Sequence, residues 1–202
     1  MKKYGLAIHT TSPELGLAIA DFNGDTRSNN WDLGLDLSAY LHQYLSEFIA
    51  PQTWQDLEFI AVAKGPGSFT ATRIGMVTAR TLAQQLNIPL FAISSLKAFA
   101  WREKDSDRLI AVQMEARRNQ IFVAIYEPFQ AGLKDYLVDT TMNLETWQQT
   151  LNSLKTKYKL IETPTNLGHT AESLLELAHL DRKLGNNSDW FKALPFYGQK
   201  PV

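Results

Sequence analysis

The sequence predicts an α/β protein of two halves, each opening with strands and continuing into helices. Three observations predict it. Short, wholly apolar runs at 59–63 and 90–93 have strand length and suit a sheet covered on both faces. Stretches such as 37–48 place Leu37, Leu41, Tyr44, Leu45 and Phe48 at helical spacing. A charged bridge, Arg102-Glu103-Lys104-Asp105-Ser106-Asp107-Arg108, separates one series of elements from the next. The chain has 202 residues, 45% hydrophobic and 20% charged. That length suits one large domain or two small ones, with a core that needs no covalent staples.

The elements follow in order. Residues 4–8 and 16–22 read as strands joined by the turn Thr10-Thr11-Ser12-Pro13-Glu14. Asn23-Gly24-Asp25 reads as a hairpin turn, because Asn-Gly tolerates positive φ. A third strand near 26–31 completes an antiparallel meander. A helix over 36–49 is closed by Pro51. Strand 59–63 leads through the glycine-rich turn 64–69 into a helix over 70–86, stopped by Asn87-Ile88-Pro89. Strand 90–93 follows, and Ser94 or Ser95 caps a further helix. Beyond the bridge, strands are expected at 109–113, 120–127 and 135–139. Helices are expected at 144–154 and 171–184, the last ended by Gly185-Asn186-Asn187.

Composition excludes several chemistries. There is no cysteine, so disulfides, thiolate zinc sites, iron–sulfur clusters and a cysteine nucleophile are ruled out. The net charge is −1, without the basic excess that autonomous nucleic-acid binders usually carry. Charge does not distinguish the halves: 9 basic and 9 acidic residues precede Asp105, and 11 and 12 follow from it onward. Lys2-Lys3 precede an apolar stretch too short for a signal peptide, and no run approaches the ~20 residues of a membrane span. The expectation is a soluble, cytoplasmic protein with no membrane partner. His9, His42, His169 and His179 form no His-x-x-x-His pair, and five scattered tryptophans make no base-stacking platform.

The segment from Ala63 to Arg73 carries the most information. Its glycine-rich turn is either a tight turn with Ser68 or Thr70 as N-cap, or a phosphate cradle at a helix N-terminus. It is neither a P-loop nor Gly-x-Gly-x-x-Gly, and Ser68 sits in no nucleophile elbow. In the helix that follows, Ala71, Gly75, Ala79 and Ala83 form a stripe of small residues. Gly75 costs about 1 kcal/mol against alanine there, so close packing must compensate, either inside the chain or against a partner helix. Arg117-Arg118 is either a solvated hairpin tip or a phosphate contact.

The run Gly65-Pro66-Gly67-Ser68-Phe69-Thr70-Ala71-Thr72-Arg73-Ile74-Gly75 closely resembles the signature G-P-G-S-F-T-G-x-R-x-G of the TsaB (YeaZ) family of bacterial tRNA threonylcarbamoyladenosine biosynthesis, a glycoprotease-like family. Thr10-Thr11-Ser12 is similar to that family's I-D-T-S, Ser94-Ser95-Leu96 to its S-S/T-L, Met114-Glu115-Ala116-Arg117-Arg118 to its D-A-R-R, and Pro195-Phe196-Tyr197 to its P-x-Y. The pieces occur in the family's order and span nearly the whole chain.

The resemblance implies an α/β, two-lobed actin/Hsp70/sugar-kinase (ASKHA, ribonuclease H-like) fold with mixed sheets flanked by helices. The N-terminal lobe is expected over 1–104 and the C-terminal lobe over 105–202, with the last residues packing back on the first lobe. The resemblance implies a non-catalytic subunit, with no catalytic or metal residue and no cofactor of its own. ATP/ADP and metal are then expected on partner subunits: a TsaD-like catalytic paralogue, which moves threonylcarbamoyl to the adenosine beside the anticodon, and a TsaE-like ATPase. tRNA is expected to bind only through the complex. The pairing surface, which also supports homodimers, is expected on helices 36–50 and 70–86 through Leu41, Leu45, Thr70, Ala71, Arg73, Ile74, Gly75, Thr78, Ala79 and Leu82. On this reading Gly75→Leu or Ala79→Arg blocks pairing and leaves the monomer folded.

The chain departs from the family pattern at several positions. His9 stands where the family has an aspartate, and imidazole is a poor ligand for a hard cation. Ala71 replaces a glycine, Glu115 replaces the aspartate of D-A-R-R, Gln120 stands where glutamate is frequent, and Gly198-Gln199 stand where an arginine is frequent. Two other functions are open to such a sequence: an ASKHA-type ATP-dependent small-metabolite kinase or ATPase, and a glycoprotease-like peptidase. His9 argues against the first. The lack of a histidine pair, a cysteine and a nucleophile elbow argues against the second.

Overall fold

The computed structural model describes residues 3–130, 132–186 and 188–198. The expectations that fall on Asn187 and on Gln199 therefore lie outside the described residues. Among the described residues, nine strands form two mixed sheets. The first has the order β3-β2-β1-β4-β5 and comprises β1 (Tyr4–His9), β2 (Glu14–Ala20), β3 (Thr26–Asp32), β4 (Leu57–Ala63) and β5 (Leu90–Ile93). Strands β1, β2 and β3 are the expected antiparallel meander, and β4 pairs parallel with both β1 and β5. The second sheet has the order β8-β7-β6-β9 and comprises β6 (Leu109–Glu115), β7 (Ile121–Phe129), β8 (Gly132–Met142) and β9 (Tyr158–Glu162). Again three antiparallel strands are followed by one parallel to the first. The two sheets thus repeat one plan without a detectable sequence repeat.

The helices are α1 (Leu37–Ile49), α2 (Phe69–Leu86), α3 (Ser95–Ala100), α4 (Leu144–Ser153) and α5 (Ala171–Lys183). They alternate with the sheets as layers, because each strand alternates its side chains between two faces. In the first sheet the outer face carries large aliphatics, Leu6, Ile8, Leu17, Ile19, Ile60 and Val62. These pack with Leu41 and Leu45 of α1 and with Met76, Ala79 and Ala83 of α2. The inner face is mostly alanine (Ala7, Ala18, Ala61 and Ala63) and admits Leu174, Leu175 and Ala178 of α5 and Leu96 of α3 at short range. That core continues through Ile110, Val112 and Tyr126 of the second sheet. On the far side of that sheet, α4 buries Trp147 and Leu151 against Ala111, Val123 and Ile125.

Several local expectations need correction. In the β2–β3 turn the positive φ falls on Phe22 (58°) and Gly24 (118°), not on Asn23. Asp21 closes the turn instead, its Oδ1 accepting from the backbone N–H groups of Asn23 and Asp25 at 2.8 and 2.9 Å. The Phe22 ring is stacked on His179, with centroids 3.6 Å apart. No strand was expected at Tyr158–Glu162. Its lysine-rich, half-exposed pattern gives no clear period, and pairing with β6 makes it a strand. The expected serine cap of α3 is present, and of the two candidates it is Ser94, accepting from the N–H groups of Leu96 and Lys97 at 3.1 and 3.2 Å. Ser68 occupies the N-cap position of α2 but makes no side-chain cap bond. Its carbonyl accepts instead, from the N–H of Thr72 at 2.9 Å and from the Thr72 hydroxyl at 2.7 Å.

Candidate functional site

Four of the five motif pieces, far apart in sequence, line one cleft of about 650 Å3. The turn after β1 supplies Thr11 and Ser12, the signature turn Gly67–Thr70, and the end of β6 Met114–Arg118; Tyr197 of the tail and the segment Glu162–Thr165 also line it. Ser95 joins from behind, its Oγ 2.9 Å from Thr11 Oγ1 and its N–H donating to the Gly65 carbonyl at 2.9 Å.

Hydrogen bonds seat the signature turn. The Ser68 N–H donates to the Thr11 carbonyl at 2.8 Å, and the Lys64 N–H to the Ile93 carbonyl at 2.8 Å. Gly65 has φ +99°, which an L side chain rarely adopts, and a Cβ there would collide with the Phe196 carbonyl. The C-terminal segment runs back over this turn: the Phe196 N–H donates to the Lys64 carbonyl at 2.6 Å. Tyr197 packs on Phe69 with centroids 4.4 Å apart, and the Arg73 guanidinium lies 5.4 Å from the Phe69 ring centre. Pro66, between the two glycines, is buried.

The hydroxyls that follow β1 hold the fold together. Thr10 Oγ1 donates to the Ala71 carbonyl at 2.9 Å, and Ser12 Oγ accepts from the Leu167 N–H at 3.0 Å. His9 lies off the cleft lining, fully buried, and among the described residues neither ring nitrogen has a hydrogen-bond partner. Burial, with the nearby His169 adding to it, lowers its pKa to about 3, so the imidazole is neutral. Among the described residues no group of three or more His, Asp or Glu side chains is placed to hold a metal ion. A buried neutral imidazole in place of an oxygen ligand does not fit a metal–phosphate site, and no chemical step is derived through one. Arg117 and Arg118 are exposed at the β6–β7 tip, where Arg118 and Asn119 take positive φ. Both arginines line the cleft.

The structure divides the ten residues assigned to a pairing surface. Leu41, Leu45, Gly75, Thr78 and Ala79 are buried within the chain. Ala71, Ile74 and Leu82 are half-buried, and Thr70 and Arg73 are exposed. The small-residue stripe of α2 faces inward, where a Cβ on Gly75 would collide with the Thr10 hydroxyl. The substitutions Gly75→Leu and Ala79→Arg therefore strike the interior of the monomer, contrary to the expectation that they spare it. The outward face of α2 runs through Thr70, Arg73, Val77 and Thr81. Val77 is 62% exposed, the one large aliphatic standing clear on that helix, and the sequence reading missed it. Its signal was its place four residues from Arg73 on an otherwise polar face. On α1 the exposed counterpart is Tyr40.

Residues 41–175 match a family model described as TsaD, tRNA N6-adenosine threonylcarbamoyltransferase. The tRNA threonylcarbamoyladenosine biosynthesis protein TsaB of Bacillus subtilis is 35% identical over 154 residues, which cover 72% of this chain and 65% of that protein. TsaB of Escherichia coli is 33% identical over 81 residues, 39% of this chain and 35% of the relative. The matches thus span less than two thirds of these relatives' length. In fold, YeaZ from Pseudomonas aeruginosa superposes with a TM-score of 0.77 at 22% identity, over 96% of this chain and 99% of that one. A second Pseudomonas aeruginosa structure, described as similar to peptidase YeaZ, gives 0.81 at 21% identity, over 98% and 100%.

Proposed function

Because the chain belongs to the TsaD family, as a protein of the TsaB/YeaZ type, we propose that it is a non-catalytic scaffold subunit in the biosynthesis of tRNA threonylcarbamoyladenosine. Its partner is a TsaD-type catalytic paralogue, and it meets that partner through the outward faces of α1 and α2. A TsaE-type ATPase joins the assembly, and the same face supports a homodimer. The nucleotide, metal and tRNA are then held by the assembly rather than by this chain alone.

One observation carries the reading: the residues of the family motifs act on the fold itself. Thr10, Thr11, Ser12, Gly65 and Gly75 hold the signature turn and α2 against β1 and the tail. This fixes the orientation of α2 while its outer face stays bare, with Val77 exposed between Arg73 and Thr81. An apolar residue inside a polar rim, on a rigid helix, is the usual anatomy of a contact surface.

The test is co-purification with the TsaD-type paralogue, followed by a tRNA modification assay with and without this chain. Val77→Arg is expected to abolish pairing and modification while the monomer keeps its unfolding midpoint. Pairing and modification that survive both Val77→Arg and Arg73→Glu overturn the assignment of the surface. Full modification in the absence of this chain overturns the scaffold role, and ATP hydrolysis at an enzyme-like rate by the chain alone would favour the kinase or ATPase reading.

A further inference from the structure

A second cavity, of about 400 Å3, is walled off from the cleft by the signature turn and the tail. Lys64 and Phe196 line it, while Gly67 and Tyr197, close neighbours in sequence, line the cleft. Its floor is a hydrogen-bonded group. The Tyr126 hydroxyl donates to Asp139 Oδ1 at 2.8 Å and lies 3.3 Å from Ser94 Oγ. Tyr126 is 1% exposed and Ser94 6% exposed, so this polar group is part of the protein interior. Burial pushes both the Tyr126 and the Asp139 pKa up.

The other charges on the walls are unequally committed. Lys97 Nζ is paired with Asp135 Oδ1 at 3.0 Å. Among the described residues the Lys64 amine makes no ion pair; its charge offsets part of the rise that burial gives the Asp139 pKa. Among the described residues, the Asp181 carboxylate accepts from the Asn186 amide alone, at 3.5 Å. Leu177 and Leu180 of α5 and Leu133 of β8 make an apolar wall beside these groups. Phe129, Val138 and Leu184 stand at the rim, each more than half exposed.

We propose that this cavity is a binding site for a small zwitterion with an apolar side chain, of the free amino acid or dipeptide class. The carboxylate is taken by Lys64, the ammonium by Asp181, and the side chain by Leu177 and Leu180. With Lys97 paired to Asp135 and Asp139 bonded to the Tyr126 hydroxyl, one ammonium and one carboxylate are left on the walls, and a zwitterion pairs with both. A simple anion would leave Asp181 without an ionic partner, and a simple cation would leave Lys64 without one. A purely apolar ligand would bury both charges without partners, which is costly. The volume lies at the lower end of the roughly 300–1,000 Å3 of small-molecule sites. This site is separate from the α1–α2 face, so its success or failure is independent of the scaffold reading.

The test is calorimetry on the full chain with L-leucine, L-phenylalanine and Leu-Leu, beside isocaproate, which lacks the ammonium, and isoamylamine, which lacks the carboxylate. At least one zwitterion is expected to bind and raise Tm, with both single-charge analogues weaker by roughly tenfold or more. Lys64→Met and Asp181→Asn are each expected to weaken binding by a similar factor. In the unaltered chain, the amide NMR signals of Ser94, Lys97, Leu180 and Asp181 are expected to shift on titration, which keeps the test valid if either variant fails to fold. Binding by no zwitterion at about 10 mM, equal binding of isocaproate, or shifts confined to other residues would overturn the proposal.

Discussion

At the residue scale, the positions that look most like chemistry in the sequence do structural work. The hydroxyls of Thr10, Thr11 and Ser12 are bonded to Ala71, Ser95 and Leu167. His9 has a marked effect on pH dependence. Its folded pKa is about 3, against 6.5 in the unfolded chain. Below pH 6.5 the unfolded state binds the extra proton, so stability falls as pH falls, until about pH 3. The slope from this one group is at most about 1.4 kcal/mol per pH unit. His169 and His179, also lowered by burial, add the same sign. Urea midpoints measured from pH 7 to 4 should therefore fall, and His9→Leu should flatten part of that fall; an unchanged slope would contradict the assignment. At Gly75 the expected outcome of Gly75→Leu is a loss of about 1–3 kcal/mol in monomer stability from overpacking against Thr10, seen as a lower urea midpoint before any partner is added.

At the element scale, α2 was correctly bounded by its period and its Asn87 stop, and Asn87 adopts the left-handed C-cap. Which side of the helix faces out was not legible. Ala71, Gly75, Ala79 and Ala83 are compatible with a neighbour on either side, and only the position of Thr10 and of the first sheet decides that the neighbour is internal. The exposed stripe through Thr70, Arg73, Val77 and Thr81 lies a fraction of a turn away, so the sequence reading captured the helix and mistook part of its phase. Helix α3 is six residues long and depends on its cap. Ser94→Ala removes the acceptor for two N–H groups and should cost about 1 kcal/mol in chemical denaturation; an unchanged urea midpoint would contradict the role of the cap.

At the molecular scale, the layers explain why the termini of the chain belong to one unit. Helix α5, late in sequence, packs under β1, β2 and β4, and the tail crosses the signature turn. Tyr197 on Phe69 is the aromatic contact of that crossing. A double-mutant cycle with Phe69→Leu and Tyr197→Leu should give a coupling of about 0.5–1.5 kcal/mol. No coupling would mean that the tail does not hold the turn in solution. The continuous middle core between the sheets leads to a related expectation: Leu174→Ala should cost about 2–5 kcal/mol and shift the whole unfolding transition, as read by far-UV circular dichroism and tryptophan fluorescence together.

Sequence by itself determined the α/β class, the strand meander, the helix limits and the family signature, because these rest on local period, turn chemistry and an eleven-residue motif. It also excluded thiol chemistry, since there is no cysteine to perform it. Tertiary structure alone decided which faces are covered and which motif pieces meet. Strand β9 exists through pairing with β6, and Val77 is exposed because the sheet lies behind the opposite face of its helix. The grouping of Lys64, Ser94, Tyr126, Asp139 and Asp181 in one cavity joins residues up to 117 positions apart, from Lys64 to Asp181. Burial and long-range contact are properties of the packed chain, and no local pattern encodes them.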